Sequence, residues 1–172
     1  VRAGDFVVGI AASGTTPYVH RALEYARSLT ATTGLIACSP PPRDTLDFVD
    51  ILILPITGPE VVTGSTRMKA GTAQKLTLNM ITTAAFIRTG KAYENMMVDL
   101  MATSQKLVER SRRTVMTVTG VDYETPSRAI EAAGKSVKTA IVMVKLGCTR
   151  EEAETRLERA GGFVRAALGG QA

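Results

Sequence analysis

The first twenty residues constrain the fold more than any other part of the chain. Residues 6–12 (FVVGIAA) are apolar and partly β-branched, with no polar residue in alternation. A strand of this kind suits a parallel sheet covered on both faces. It runs directly into Ser13-Gly14-Thr15-Thr16, and Pro17 follows. Thr16 fits the N-cap of a helix and Pro17 its first position, where a missing N–H costs nothing. Val19, Ala22, Leu23, Ala26 and Leu29 then recur at helical spacing. Residues 34–39 (GLIACS) and 51–54 (ILIL) read as two further strands, with a Pro-rich loop at 40–43 between them. Strand, helix and strand in this order predict a parallel α/β sheet in which the three strands are neighbours.

Two segments carry residues suited to anion chemistry. An anion at the start of the first helix would meet unpaired backbone N–H groups and the positive end of the helix dipole. Gly14 lets the backbone come close, and the hydroxyls of Ser13, Thr15 and Thr16 can donate hydrogen bonds. The same pattern also serves as an ordinary cap in a strand-to-helix turn, and it lacks the lysine of a Walker loop. The second segment, residues 58–72 (GPEVVTGSTRMKAGT), packs hydroxyls and cations between glycines. Arg67 can grip an oxyanion with two N–H groups, and Lys69 supplies a point charge. Ser65 and Thr66 add hydroxyls, and Glu60 can serve as acid, base or acceptor for a sugar hydroxyl. Pairing of Glu60 with Arg67 across the loop is an equally good reading of these residues.

Residues 72–88 are apolar on a face wide enough to predict a helix buried on more than one side, with Gly90 as its stop. A further helix is expected over 101–115. Beyond residue 119 the pattern is that of three short helices. The first opens at Thr125-Pro126, and the second stops at Gly147. The third is opened by the capping box Thr149-Arg150-Glu151-Glu152 and runs through Ala153, Leu157, Ala160 and Val164. His20, the one histidine, reads as an ordinary helix residue, and Arg110, Arg112 and Arg113 beside Glu109 as a solvated helix face.

Composition narrows the partners. Aromatic residues are only 5% of the chain and the net charge is +5, a poor profile for a nucleic-acid partner. Cys38 and Cys148 form no metal spacing and no CxxC, as expected of idle thiols in a reducing, cytoplasmic setting. No apolar run is long enough to span a bilayer, and the N-terminus shows neither a signal peptide nor an initiator Met, so the chain reads as a fragment.

Residues 58–72, continued by 73–80 (AQKLTLNM), resemble the hallmark of the N-acetylmuramic acid 6-phosphate etherases, with a related version in glucokinase regulatory proteins. Residues 82–85 (TTAA), Gly90-Lys91, Tyr93, Asn95, residues 97–100 (MVDL) and the opening stretch 4–19 extend the resemblance over essentially the whole chain. The resemblance implies an α/β three-layer parallel-sheet SIS (sugar isomerase) domain, here 1–119 without its N-terminal part. A small ubiquitin-associated-like three-helix bundle would follow at 120–172. It implies a cytoplasmic homodimer that needs no cofactor and takes a sugar 6-phosphate. Such an enzyme cleaves the lactyl ether to give N-acetylglucosamine 6-phosphate and D-lactate, by elimination and then hydration. Ser13, Gly14 and Thr16 match the family's second ligand loop, and Glu60, Ser65, Thr66, Arg67 and Lys69 match its central stretch.

Two substitutions depart from the family pattern. Thr15 replaces a common arginine, and Glu94 stands where glycine is usual. The family's catalytic glutamates are expected in a segment before Val1, so no residue of this chain is assigned as catalytic and the chain alone is expected to be inactive. The alternative is a regulatory SIS protein that binds phosphosugar without turnover.

Overall fold

A computed structural model describes residues 1–101 and 104–170. The fold is α/β, and its packing forms two compact units, Val1–Ile81 and Thr82–Ala172.

In the first unit, β1 (Phe6–Ile10), β2 (Thr32–Ile36) and β3 (Ile51–Ile53) form one sheet in the order β1-β2-β3. Both pairings are parallel, with Phe6 opposite Thr32 and Gly34 opposite Ile51. This is the neighbour relation read from the sequence. Strand β2 begins two residues earlier than its apolar content implies. Residues 37 and 38 still bond to the neighbouring chain segments, Ala37 N–H to Ile53 O at 3.0 Å and Cys38 N–H to Ala12 O at 2.9 Å. Helix α1 (Pro17–Ser28) crosses from β1 to β2, and a 3-10 turn (Arg43–Phe48) leads into β3.

The α1 face of the sheet holds the unit's core. Leu23, Leu35, Ala11 and Ala37 are buried there, with Val7, Val19 and Phe48 packed around them. A Cβ on Gly9 would stand 2.5 Å from Val19 Cγ1 and 2.9 Å from Leu23 Cδ1, so α1 lies against β1 at a distance only glycine permits. The other face corrects the expectation of a strand covered on both sides. Phe6, Val8 and Ile10 point away from α1 and are 52%, 37% and 41% exposed. Side chains alternate along a strand, and α1 can cover only one set.

Helix α2 (Lys69–Arg88) corrects a second expectation. Of its residues only Ala70 and Thr77 are buried, while Leu76, Met80, Phe86 and Ile87 are exposed. Periodicity reports that a helix carries apolar residues on several sides; it does not supply the neighbours that would cover them.

In the second unit a short hairpin, β4 (Ala92–Tyr93) and β5 (Met96–Met97), follows Gly90. Helix α3 covers Gln105–Thr119, later than the expected 101–115. Ser104 Oγ accepts from the backbone of Leu107 at its start, and Gly120 ends it with φ +76°. Residues 102–103 of the expected helix lie outside the described residues, and Met101 instead bridges to Ser136.

Helices α4 (Thr125–Ala132), α5 (Val137–Leu146) and α6 (Arg150–Arg159) begin and stop close to where their caps place them. Gly147 is left-handed at the end of α5, and both bonds of the Thr149–Glu152 capping box form. The third helix, however, does not continue to Val164. Gly161 and Gly162 both adopt positive φ and break it, and Val164 opens a separate turn, α7 (Val164–Ala167). Val98 and Val115 share one buried core with Ile130, Val137, Ile141 and Leu157, so α3 and the bundle pack as one body.

Candidate functional site

Ser13-Gly14-Thr15-Thr16 leaves the end of β1 as a tight turn. Gly14 has φ +72°, a conformation that favours glycine. A Cβ there would also meet Ser39 O at 3.0 Å and Pro41 Cα at 3.1 Å. The Gly14 N–H closes back on Ala11 O at 3.0 Å. Ser13 Oγ accepts from Thr15 N–H at 3.2 Å and lies 2.9 Å from Thr15 Oγ1. Thr16 takes the N-cap position of α1 as expected, but its hydroxyl caps nothing. Pro17 has no N–H, so the start of α1 is left with unmatched backbone donors. The three hydroxyl side chains are exposed around a buried Gly14.

The second segment is organised by Glu60. Its Oε1 accepts from Ala70 N–H at 3.0 Å, and its Oε2 from Lys69 N–H at 3.0 Å. Glu60 therefore caps α2 across the glycine-rich loop. These two backbone donors, Ala70 first, hold its carboxyl below the usual carboxylate range. At neutral pH Glu60 is ionised, which suits it to accept a hydrogen bond or a proton and not to donate one. Lys69 Nζ donates to Pro59 O at 2.8 Å and closes the same loop. The Glu60–Arg67 pairing left open by the sequence does not form. Among the described residues Arg67 makes no ion pair or hydrogen bond, and its guanidinium is free for an anion. Ser65 is half-buried, Thr66 is exposed, and Thr66 O accepts from Gly71 N–H at 3.0 Å.

Both segments border the carboxyl end of β2. Cys38 joins them: its N–H donates to Ala12 O at 2.9 Å, and its thiol lies 3.7 Å from Ala70 O. The carboxyl ends of parallel strands are where open α/β sheets bind ligands. Burial pushes the Cys38 thiol up, and the charge of Glu60 adds to the effect, so Cys38 is an inert packing residue. Among the described residues no group of three or more His, Cys, Asp or Glu is arranged to hold a metal ion. Nor, among those residues, is any helix long and apolar enough to cross a membrane.

One residue has a part at this site that its ordinary helical spacing does not imply. His20 Nε2 lies 2.8 Å from Gly14 O, and its ring meets Phe48 edge-on with centroids 5.9 Å apart. A cleft of about 470 Å³ opens beside it, lined by Thr15, His20, Glu24, Asp44, Asp47 and Phe48. The only sequence signal was a histidine four positions beyond an N-cap, where a side chain can turn back over the preceding loop.

No protein-family model matches the chain. Curated relatives do. It is 55% identical over 166 residues to the N-acetylmuramic acid 6-phosphate etherase of Geobacillus sp. (strain WCH70), covering 96% of this chain and 56% of that protein. It is 53% identical over 171 residues to the protein of the same name from Mycolicibacterium smegmatis, covering 98% of this chain and 56% of the relative. The protein of that name from Vibrio vulnificus (strain YJ016) is 54% identical over 166 residues, covering 96% and 55%. The chain spans about half the length of the curated relatives it matches. Over almost all of its own length, it is a homologue of the N-acetylmuramic acid 6-phosphate etherases.

Proposed function

We propose that this chain is the phosphosugar-binding half of an N-acetylmuramic acid 6-phosphate etherase. The observation that carries this reading is identity of 53% to 55% to proteins of that name over nearly the whole chain. The full-length enzyme cleaves the D-lactyl ether to give N-acetylglucosamine 6-phosphate and D-lactate, as a cytoplasmic homodimer in cell-wall recycling. The domain is of the SIS type, and residues 120–172 are the small helical bundle that packs on α3.

In this reading the substrate sits at the carboxyl end of the sheet. The free guanidinium of Arg67 and the hydroxyls of Ser13, Thr15, Thr16, Ser65 and Thr66 hold its phosphate and hydroxyl groups. Gly14 makes the tight turn that carries the first set of hydroxyls, and Glu60 and Lys69 keep the second loop in shape. The reaction removes the C2 proton of the open-chain sugar and protonates the departing lactyl oxygen, and water then adds to the unsaturated aldehyde. That requires a base and an acid in hydrogen-bond reach of those atoms. Glu60 is a single carboxylate that would have to do both jobs, and its two oxygens are already held by the backbone N–H groups of Lys69 and Ala70. Residues 1–172 alone are therefore inactive, and the acid–base pair belongs to the part of the relatives' length that this chain does not span.

The test is release of D-lactate from N-acetylmuramic acid 6-phosphate by the full-length protein. Turnover supports the enzyme. Tight phosphosugar binding with no D-lactate would replace it with a regulatory binding protein.

A further inference from the structure

We propose that His20 is the positioning residue of the Ser13–Thr16 turn and sets its affinity for a phosphorylated sugar. The inference rests on the reading of that turn as a phosphate site. Gly14 O can only accept, so at 2.8 Å the Nε2 atom of His20 carries the proton and donates it. The bond reaches back six positions, from the body of α1 to the apex of the turn before it. Phe48 packs edge-on against one side of the ring, with centroids 5.9 Å apart, and supports it in this direction. The two peptides that flank the Gly14 Cα are thereby each held, Ser13–Gly14 through its N–H to Ala11 O and Gly14–Thr15 through its carbonyl to His20.

The geometry of this peptide matters because the turn has little else to hold it. Ser13 bonds only to Thr15, and the Thr16 hydroxyl makes no cap. Both bonds of Ser13, one to the Thr15 hydroxyl and one from the Thr15 backbone N–H, are exposed and compete with water. The His20 bond is partly buried, and among the described residues it is the one side-chain bond that ties the turn to the rest of α1. Without it the Gly14–Thr15 peptide is held only through its N–H, by the exposed bond from Thr15 to Ser13 Oγ, and it can turn away from the start of α1. An anion must then restore that arrangement on binding, and affinity falls by the cost of ordering it. His20 touches no reacting atom in this account. It acts through Gly14.

The experiment uses the full-length protein and three variants. His20→Phe keeps a ring against Phe48 and removes the donor. His20→Ala removes both, and His20→Gln restores an N–H donor without the ring. Binding of N-acetylglucosamine 6-phosphate is measured by calorimetry, and KM and kcat by D-lactate release. His20→Phe is expected to weaken binding and raise KM about five- to tenfold, the loss of one hydrogen bond, with kcat within about twofold. His20→Gln is expected to recover most of that loss. Wild-type affinity and KM in a folded His20→Phe variant would overturn the proposal and leave the phosphate site standing. So would an equal loss in all three variants with no rescue by Gln, which would mark His20 as a packing residue only. A wild-type protein that binds no sugar phosphate would overturn the site reading itself, and this proposal with it.

Discussion

Thr33 and Asp50 are hydrogen-bonded in both directions. Asp50 Oδ2 accepts from the backbone N–H of Thr33 at 2.8 Å and from its hydroxyl at 3.0 Å, while Asp50 N–H donates to Thr33 O at 3.1 Å. Arg27, at the end of α1, adds an ion pair to Asp50 Oδ1. One carboxylate thus ties α1, β2 and the entry to β3.

This cluster predicts a contribution to stability that is lost in acid. The Thr33 N–H first, and the Arg27 guanidinium next, hold the Asp50 carboxyl below its ordinary value. A group whose pKa is lower in the folded state stabilises that state above its unfolded pKa, near 3.9 for aspartate, and loses the contribution as pH falls through the folded value. Asp50→Asn is therefore expected to lower the urea midpoint near pH 7 and to narrow its difference from wild type as pH falls below about 4. A variant gap that stays constant from pH 7 to about pH 3 would show that the charge of Asp50 contributes nothing.

Gly9→Ala tests the contact between α1 and the sheet. The new methyl would meet Val19 and Leu23 inside normal contact distance, so α1 must shift outward or strain its side chains. Overpacking of this kind costs about 1–3 kcal/mol. Equilibrium urea unfolding should show a loss in that range, and a neutral result would mean that α1 is free to move.

The hairpin turn at Glu94 offers a test of opposite sign. Glu94 sits at φ +52°, where a side chain is strained, and its carboxylate pairs with Arg165 at 2.7 Å. That backbone conformation accounts for the glycine which the family resemblance expects here. Both Glu94→Gly and Glu94→Ala lose the ion pair, but only glycine relieves the strain. The Gly variant is expected to be more stable than the Ala variant by about 1 kcal/mol in thermal unfolding. Equal stabilities would mean that the turn relaxes around any residue.

Ser13→Ala in the full-length protein separates a ligand contact from a turn support. If Ser13 donates to a bound phosphate, its loss weakens N-acetylglucosamine 6-phosphate binding by roughly 1.5–3 kcal/mol. If it only supports Thr15, binding changes by less than about 1 kcal/mol, because water replaces an exposed bond. Calorimetry distinguishes the two.

The sequence carried the parts of the fold that depend on local chemistry. An uninterrupted apolar run gave β1, and Pro17 and the Thr149–Glu152 box gave helix starts, because each is decided by residues within one turn. The parts it missed depend on what lies opposite. The outward set of Phe6, Val8 and Ile10 and the exposed flank of α2 look like core residues in one dimension; whether a neighbour covers them is not written in their own spacing. The break of the third bundle helix at Gly161-Gly162 was legible, but the apolar spacing through Val164 masked it. At the site, residue types pointed to both anion-binding segments. That Glu60 spends its carboxylate on α2, that Arg67 stays unpaired and that His20 reaches Gly14 are facts of side-chain direction, which spacing alone does not fix.

The parallel pairing of Phe6 with Thr32 and of Gly34 with Ile51 also sets an order of assembly. A parallel pair cannot zip from a hairpin, so each rung waits until the intervening crossover has closed a loop. The crossover between the first two strands is α1 with its two connections, and helices form in about a microsecond or less. Helix α1, docked through Gly9, Val19 and Leu23, is therefore the element on which β1 and β2 first meet. A mutation that loosens that contact will slow folding more than it speeds unfolding, a kinetic signature that equilibrium measurements do not show.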